Sequence, residues 1–149
     1  MSGRQIIVVG DDGSANARAA VAMAAELVEE GGVVHVVTSY RLPSAAETDR
    51  MWAEVPTEFR GSYDVLATPS QYQADALAFL KGEGVDGQGH LVEGDPATAI
   101  LSVAEDNDAD IVVVGSRGLG RAAGFLRGSV STRVASHAAT NVLIVHDDE

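Results

Sequence analysis

The sequence predicts an α/β fold, a parallel sheet with helices on both faces. Three observations carry this. Ile6 to Val9 and Ile111 to Val114 are continuous apolar runs, as in strands covered on both faces. Between the strand-like runs lie segments with apolar residues at helical spacing. Turn residues separate the two kinds in strict alternation, which favours parallel strands joined by helices. At 149 residues, 46% of them hydrophobic, one domain spanning 1–149 is expected, with a core of its own.

The elements follow in order. After Ile6 to Val9, the run Gly10-Asp11-Asp12-Gly13 ends the first strand and Ser14 is placed to cap a helix. Ala17, Val21, Ala24 and Val28 form that helix's stripe, and Gly31-Gly32 stops it. Val33 to Thr38 is a second strand, interrupted by His35. From Arg41 to Tyr63 the pattern is lost, and Pro43, Pro56 and mixed charges predict a long loop with room for a helical turn. Met51-Trp52 within it reads either as a lid or partner contact, or as packing over the sheet edge. A helix is expected over 64–81, then a weak strand over Val85 to Glu93 whose glycines suit an edge. Asp95 caps a third helix with Pro96 at its first position, striped by Ala97, Ile100, Leu101 and Ala104. Ile111 to Val114 is strand four, Ser129 to Ala139 a helix burying Val130, Val134 and Ala138, and Val142 to Val145 the last strand.

Composition narrows the function. With no cysteine, disulfides, thiolate metal sites and cysteine nucleophiles are excluded. No run approaches the roughly 18 apolar residues of a membrane span, and the N-terminus lacks the pattern of a signal peptide. A cytoplasmic protein is the expectation. The net charge of −12 argues against a general nucleic-acid or anionic-membrane binder. Yet Ile111 to His146 contains no Asp or Glu while holding Arg117, Arg121, Arg127 and Arg133. This cationic island is either a sink for a small polyanion or a balance for a nearby acidic face.

The island surrounds the most informative stretch of the chain. Gly115-Ser116-Arg117-Gly118 follows strand four, and Gly128-Ser129-Val130-Ser131 opens the next helix. Glycines there permit close backbone approach, and hydroxyls beside free helix N–H groups favour an anion. The reading is a phosphate-binding loop, against the alternative of a surface loop with a serine-capped helix. Gly82 to Gly87 also fits G-x-G-x-x-G, but it lies between a helix and a strand, the reverse of the dinucleotide context. No lysine follows a glycine in the strand-four loop, so a P-loop ATPase mechanism is not expected.

The spacing G-x-x-G, nine residues, G-S resembles the ATP-binding signature of universal stress proteins, G-x2-G-x9-G-(S/T). Val8 to Ser14 resembles that family's first strand and Asp-Gly-Ser turn. Gly94-Asp95-Pro96-Ala97 followed by Ile100 resembles its Gly-x-Pro helix opening, and Ala109 to Gly118 its most typical segment. The likeness covers nearly the whole chain. It implies a five-stranded, Rossmann-like parallel sheet in order 3-2-1-4-5, with ATP between the ends of strands one and four. It also implies that Gly10, Asp11 and Asp12 lie along the adenosine side, Asp12 near the ribose or the metal, and Ser39 near the adenine. Val114, Gly115, Arg117 and Gly118 would follow the ribose and phosphates, and Gly128, Ser129, Val130 and Ser131 would hold the phosphates. Mg2+ would bridge phosphate oxygens and a carboxylate. The likeness further implies a homodimer through Val142 to Val145. Arg127 and Arg121 are added on charge alone.

Asp11 departs from the pattern, standing where many members carry a neutral residue, and Thr140-Asn141 replaces a proline-rich turn. Asp12 reads alternatively as a cap. His35 and His137 are expected to be packed, while His90 and His146 lack metal-ligand spacing. The functional expectation is a nucleotide-dependent regulator in stress response, with an unidentified protein partner and slow hydrolysis at most. An ATPase or nucleotidyl transferase on the same fold, a sensor of cAMP or another adenine nucleotide, and a nucleotide-free interaction protein are the alternatives.

Overall fold

A computed structural model of the chain describes residues 3–59, 64–117 and 129–146. Five strands, β1 (Ile6–Gly10), β2 (Val33–Tyr40), β3 (Asp86–Glu93), β4 (Ile111–Gly115) and β5 (Asn141–Val145), form one sheet in the order β3-β2-β1-β4-β5. Every pairing is parallel. The helices are α1 (Ala15–Leu27), α2 (Ala45–Ala53), α3 (Ala67–Gly82), α4 (Pro96–Asp106) and α5 (Ser129–His137). The expected fold and strand order are both present.

The apolar runs are explained by burial on two faces. Ile7, Val9, Val34, Val36 and Val113 pack with Ala20, Val21 and Ala24 of α1 and Ala76 and Leu80 of α3. Val8, Val37, Val112 and Val114 pack with Ala97, Ile100 and Val103 of α4 and Val134 of α5. Alternate residues of each central strand serve opposite cores, so β1 and β4 are apolar along their length and β2 admits polar side chains only at His35 and toward its end at Thr38 and Ser39.

The caps match the residue types. Ser14 Oγ accepts from the Ala17 N–H at 3.1 Å, and an Asp95 carboxylate oxygen accepts from the Thr98 N–H at 2.9 Å. Asp95 also pairs with Arg133 at 2.7 Å, tying α4 to α5. For Arg133, then, charge balance is the correct reading of the cationic island.

The stretch expected to be a long loop is largely ordered otherwise. α2 carries a reciprocal capping box between Ser44 and Glu47, and a 3-10 turn follows at Thr57–Phe59. The helix buries no residue, so it has no apolar stripe for periodicity to detect. Its start was legible locally, as Ser followed three residues on by Glu. Trp52 is half-buried. Val28 ends α1 as its extended C-cap rather than continuing the stripe, but still packs on the core. α5 stops at His137, and Ala138 lies beyond it, half-buried. His137 is exposed rather than packed, with Nδ1 3.0 Å from the Arg133 carbonyl oxygen.

His35 is packed as expected, only 4% exposed. Its Nδ1 lies 2.8 Å from Nε2 of His90, two positions along the register on the edge strand. Burial holds both imidazoles below their ordinary pKa, and the neighbouring His90 and Arg4 push His35 further down against a smaller opposing pull from Asp86. Asp86 is itself ion-paired with Arg4. The folded pair therefore resists a proton that the unfolded histidines accept near the ordinary value of 6.5. Stability attributable to the pair falls as pH drops below that value. Asp95 and Glu47, whose carboxyls are held low by hydrogen bonds, add their losses only at more acidic pH. Urea unfolding should accordingly give a lower midpoint at pH 5.5 than at pH 7.5, and His90→Gln should reduce that difference.

Candidate functional site

The sheet order reverses between β1 and β4, which lie side by side with Val9 opposite Val113. The carboxyl ends of strands at such a reversal are the usual ligand position in an open parallel sheet. The two Gly-rich turns singled out in the sequence meet there. Gly10, Asp11, Asp12, Ser39, Val114, Gly115, Arg117 and Val130 line one cavity, joined by Ala17, Val37, Pro96 and Ile100. Apolar side chains of α4 and the sheet make its floor, and the turn carboxylates its rim.

The cavity is narrow as folded, about 40 Å³, room for a water or two. A nucleoside must displace side chains to enter fully. Ile100 is well placed for this. A Cβ built at Gly10 would sit 2.5 Å from its terminal methyl, so the glycine leaves the floor to one flexible side chain.

The β1–α1 turn is held by its own carboxylates. Asp11 accepts from the Gly13 N–H and Asp12 from the Ser14 N–H, each at 2.9 Å and each through one oxygen. Asp12 thus does serve the helix start, and its second oxygen remains available to a ribose hydroxyl or a hydrated cation. Gly13 takes φ +82°, a conformation other residues rarely adopt, and a Cβ there would lie 2.4 Å from the Tyr72 ring. Asp11 is only 6% exposed. Its burial raises the carboxyl pKa, the Gly13 hydrogen bond opposes this, and Asp12 adds repulsion.

The second wall is fixed by a residue the sequence reading passed over. Asn16 sits in the first turn of α1 and is 2% exposed. Its Oδ1 accepts the Arg117 backbone N–H, and its Nδ2 donates to the Val145 carbonyl at 3.1 Å. One amide therefore joins the β1–α1 turn, the start of the β4 loop and the end of β5. The signal was there to read: a polar side chain one place before the buried Ala17. A Cβ at Gly115 would stand 2.5 Å from Asn16 Oδ1, so this glycine is required by the clamp as well as by access. Val37, Pro96 and Ile100 were likewise read only as core or helix-opening residues.

The remaining site residues are placed unevenly. Ser129 is exposed at the start of α5, and Ser131 is buried at 4% exposure with a partner of its own. Neither is among the cavity-lining residues. Gly118, Arg121, Arg127 and Gly128 lie outside the described residues. Among the described residues no three His, Asp or Glu side chains converge on a metal position, and no helix is long and apolar enough to cross a membrane.

Comparison with known proteins agrees across the chain. The family described as the universal stress protein family matches residues 3–146. A universal stress protein of Mycobacterium tuberculosis is 33% identical over 149 residues, covering 98% of this chain and 99% of its own. The crystal structure of a universal stress protein in complex with cAMP superposes with a TM-score of 0.71 at 30% identity, covering 97% of this chain and 98% of that one. The universal stress protein from Archaeoglobus fulgidus in complex with dAMP shares the fold, with a TM-score of 0.64 at 23% identity over 97% of this chain and 99% of its own.

Replacing Asn16 by Leu should strip the part-buried Arg117 N–H and the Val145 carbonyl of a partner and lower unfolding stability by about 2 kcal/mol. Urea titration checks the loss.

Proposed function

The chain belongs to the universal stress protein family, and from that premise we propose that it is a single nucleotide-binding domain that takes an adenine nucleotide between the β1 and β4 turns and acts as a nucleotide-dependent regulator. The observation that carries the reading is the meeting of Gly10–Asp12 with Gly115–Arg117 over an apolar floor at the strand-order reversal. Val37, Ile100 and Val114 offer a surface for the base, and Ser39 a hydroxyl beside it. Relatives that are 30% identical or share only the fold are bound to cAMP and dAMP.

ATP with Mg2+ is the leading ligand, on the glycine spacing and on Arg117, Arg121 and Arg127 of the acid-free segment. The residues fit the metal in one respect: among the described residues Asp12 keeps one carboxylate oxygen free of hydrogen bonds, while Mg2+ on a nucleotide needs only a carboxylate or two beside phosphate oxygens and water. When bound, the ion would screen phosphate charge from Asp11 and Asp12. Gly118, Arg127, Gly128, Ser129 and Ser131 belong to this proposal on sequence alone.

A second reading, cAMP, has its own support. Asp11 is a buried carboxylate lining the cavity with no ion-pair partner within 4 Å among the described residues, and a cyclic monophosphate brings one negative charge where ATP brings about four. Thermal unfolding with ATP–Mg2+, ATP with chelator, cAMP and GTP separates the readings. A ligand at about 100 times its Kd adds about 2.7 kcal/mol to stability. The expected order is ATP–Mg2+ above ATP with chelator, with no response to GTP; a larger response to cAMP selects the second reading. Asp12→Asn retains the acceptor for Ser14 and should remove the Mg2+-dependent part alone. Phosphate release in the same samples should be at most slow.

The dimer is proposed through β5, an edge strand whose Val142, Leu143 and Ile144 are half-buried in the single chain. Sedimentation at micromolar protein should give twice the 15.4 kDa chain mass, and a strict monomer contradicts it.

A further inference from the structure

Asp11 lines two cavities. The second lies on the α1/α3 side of the β1–α1 turn, holds about 270 Å³, and is walled by Asp11, Arg18, Val21, Tyr72, Asp75 and Phe79. Its floor is buried, formed by Asp11 and Val21. One Asp11 oxygen accepts the Gly13 N–H, while the other has no hydrogen bond and no cation within 4 Å among the described residues. Arg18 attracts the Asp11 charge without forming an ion pair with it, while Asp12 and Asp75 repel it, and a ligand cation set among these carboxylates relieves the repulsion.

The walls decide which cation. A hard metal ion wants several oxygens, and here two carboxylates face mostly apolar side chains. The Tyr72 ring lies over Gly13, and Phe79 is 43% exposed, a large ring turned toward solvent at the rim. Aromatic faces and carboxylates together suit an ammonium on an apolar body. Asp75 gives one oxygen to the Gln71 amide at 2.8 Å and keeps the other for a ligand. Arg18, at the rim, makes no hydrogen bond or ion pair among the described residues.

We propose that this cavity binds a small organic ammonium compound, its –NH3+ on the free oxygen of Asp11 with Asp75 as second carboxylate, and its hydrocarbon body against Tyr72, Phe79 and Val21. The site accounts for Asp11, which the nucleotide reading leaves as a repulsive group. It stands whether or not a nucleotide occupies the neighbouring cleft.

The test is a titration followed in amide 1H–15N spectra of the whole chain. 2-Phenylethylamine should give saturable shifts at Asp11, Gly13, Arg18 and Asp75; 2-phenylethanol and phenylacetate, with the same ring but no ammonium, should not. Asp11→Asn keeps an acceptor for the Gly13 N–H, so its spectrum reports an intact fold, and it should weaken amine binding about tenfold or more. L-Phenylalanine binding more tightly than the amine, with the gain lost in Arg18→Met, assigns the natural ligand to free amino acids; weaker binding assigns it to amines. Both outcomes keep the ammonium on Asp11. Absent or unsaturable shifts, equal binding of the alcohol, or unchanged affinity in Asp11→Asn overturns the proposal.

Discussion

The side-chain amide of Asn16 joins the parts on which the cleft depends. A parallel sheet brings β1 and β4 together but leaves the segments beyond them free to diverge, because each leads into a different connection. Asn16 removes that freedom. With one acceptor and one donor, it fixes the Arg117 backbone and the end of β5 to the first turn of α1. Val145 also accepts the Ser116 N–H at 2.8 Å, so the two strand ends and the loop start form one hydrogen-bonded unit. The clamp is buried, where a lost partner costs most. Gly115 lacks a side chain at the place where Asn16 needs the room.

The sheet's composition makes such a clamp affordable. Its central strands are valine and isoleucine on both faces, with the helices covering them supplying mainly alanine and valine. Small side chains let helices pack close to the sheet, and of the few polar groups that enter most are bonded, the Thr38 hydroxyl on β2 being an exception. Gln73, for example, donates to the Val36 and His90 carbonyls from between α3 and the sheet edge. At the His35–His90 contact two titratable groups meet in this interior. It joins β2 to the edge strand β3, with His35 opposite Val8 of β1 in the register.

How much of this was legible in the sequence follows from what each signal measures. Apolar runs and helical stripes report burial, and they located β1, β2, β4, β5 and the four helices that cover the sheet; β3, largely exposed, was read only as a weak edge strand from its glycines. α2 covers nothing, so only its capping pair Ser44 and Glu47 marked it. Of the site, the turns were readable because glycine, aspartate and serine have local backbone roles. Val37 and Ile100 were not distinguishable from other core residues, since lining a cavity and filling a core call for the same side chains. Asn16 required knowing which elements meet 101 residues apart in the chain. His90 was read only as lacking metal-ligand spacing, because its partner His35 is 55 residues away on another strand.

The central claim is that an adenine nucleotide occupies the cleft at the β1/β4 reversal, and a crystal structure of the chain grown with ATP and Mg2+, or with cAMP, tests it most directly. The account predicts ligand density with the base against Val37 and Ile100, the ribose at Asp12, and the phosphates running past Gly115 and Arg117, with Ile100 displaced from its present position beneath Gly10. A nucleotide bound elsewhere, or a cleft left closed at saturating ligand, would contradict it.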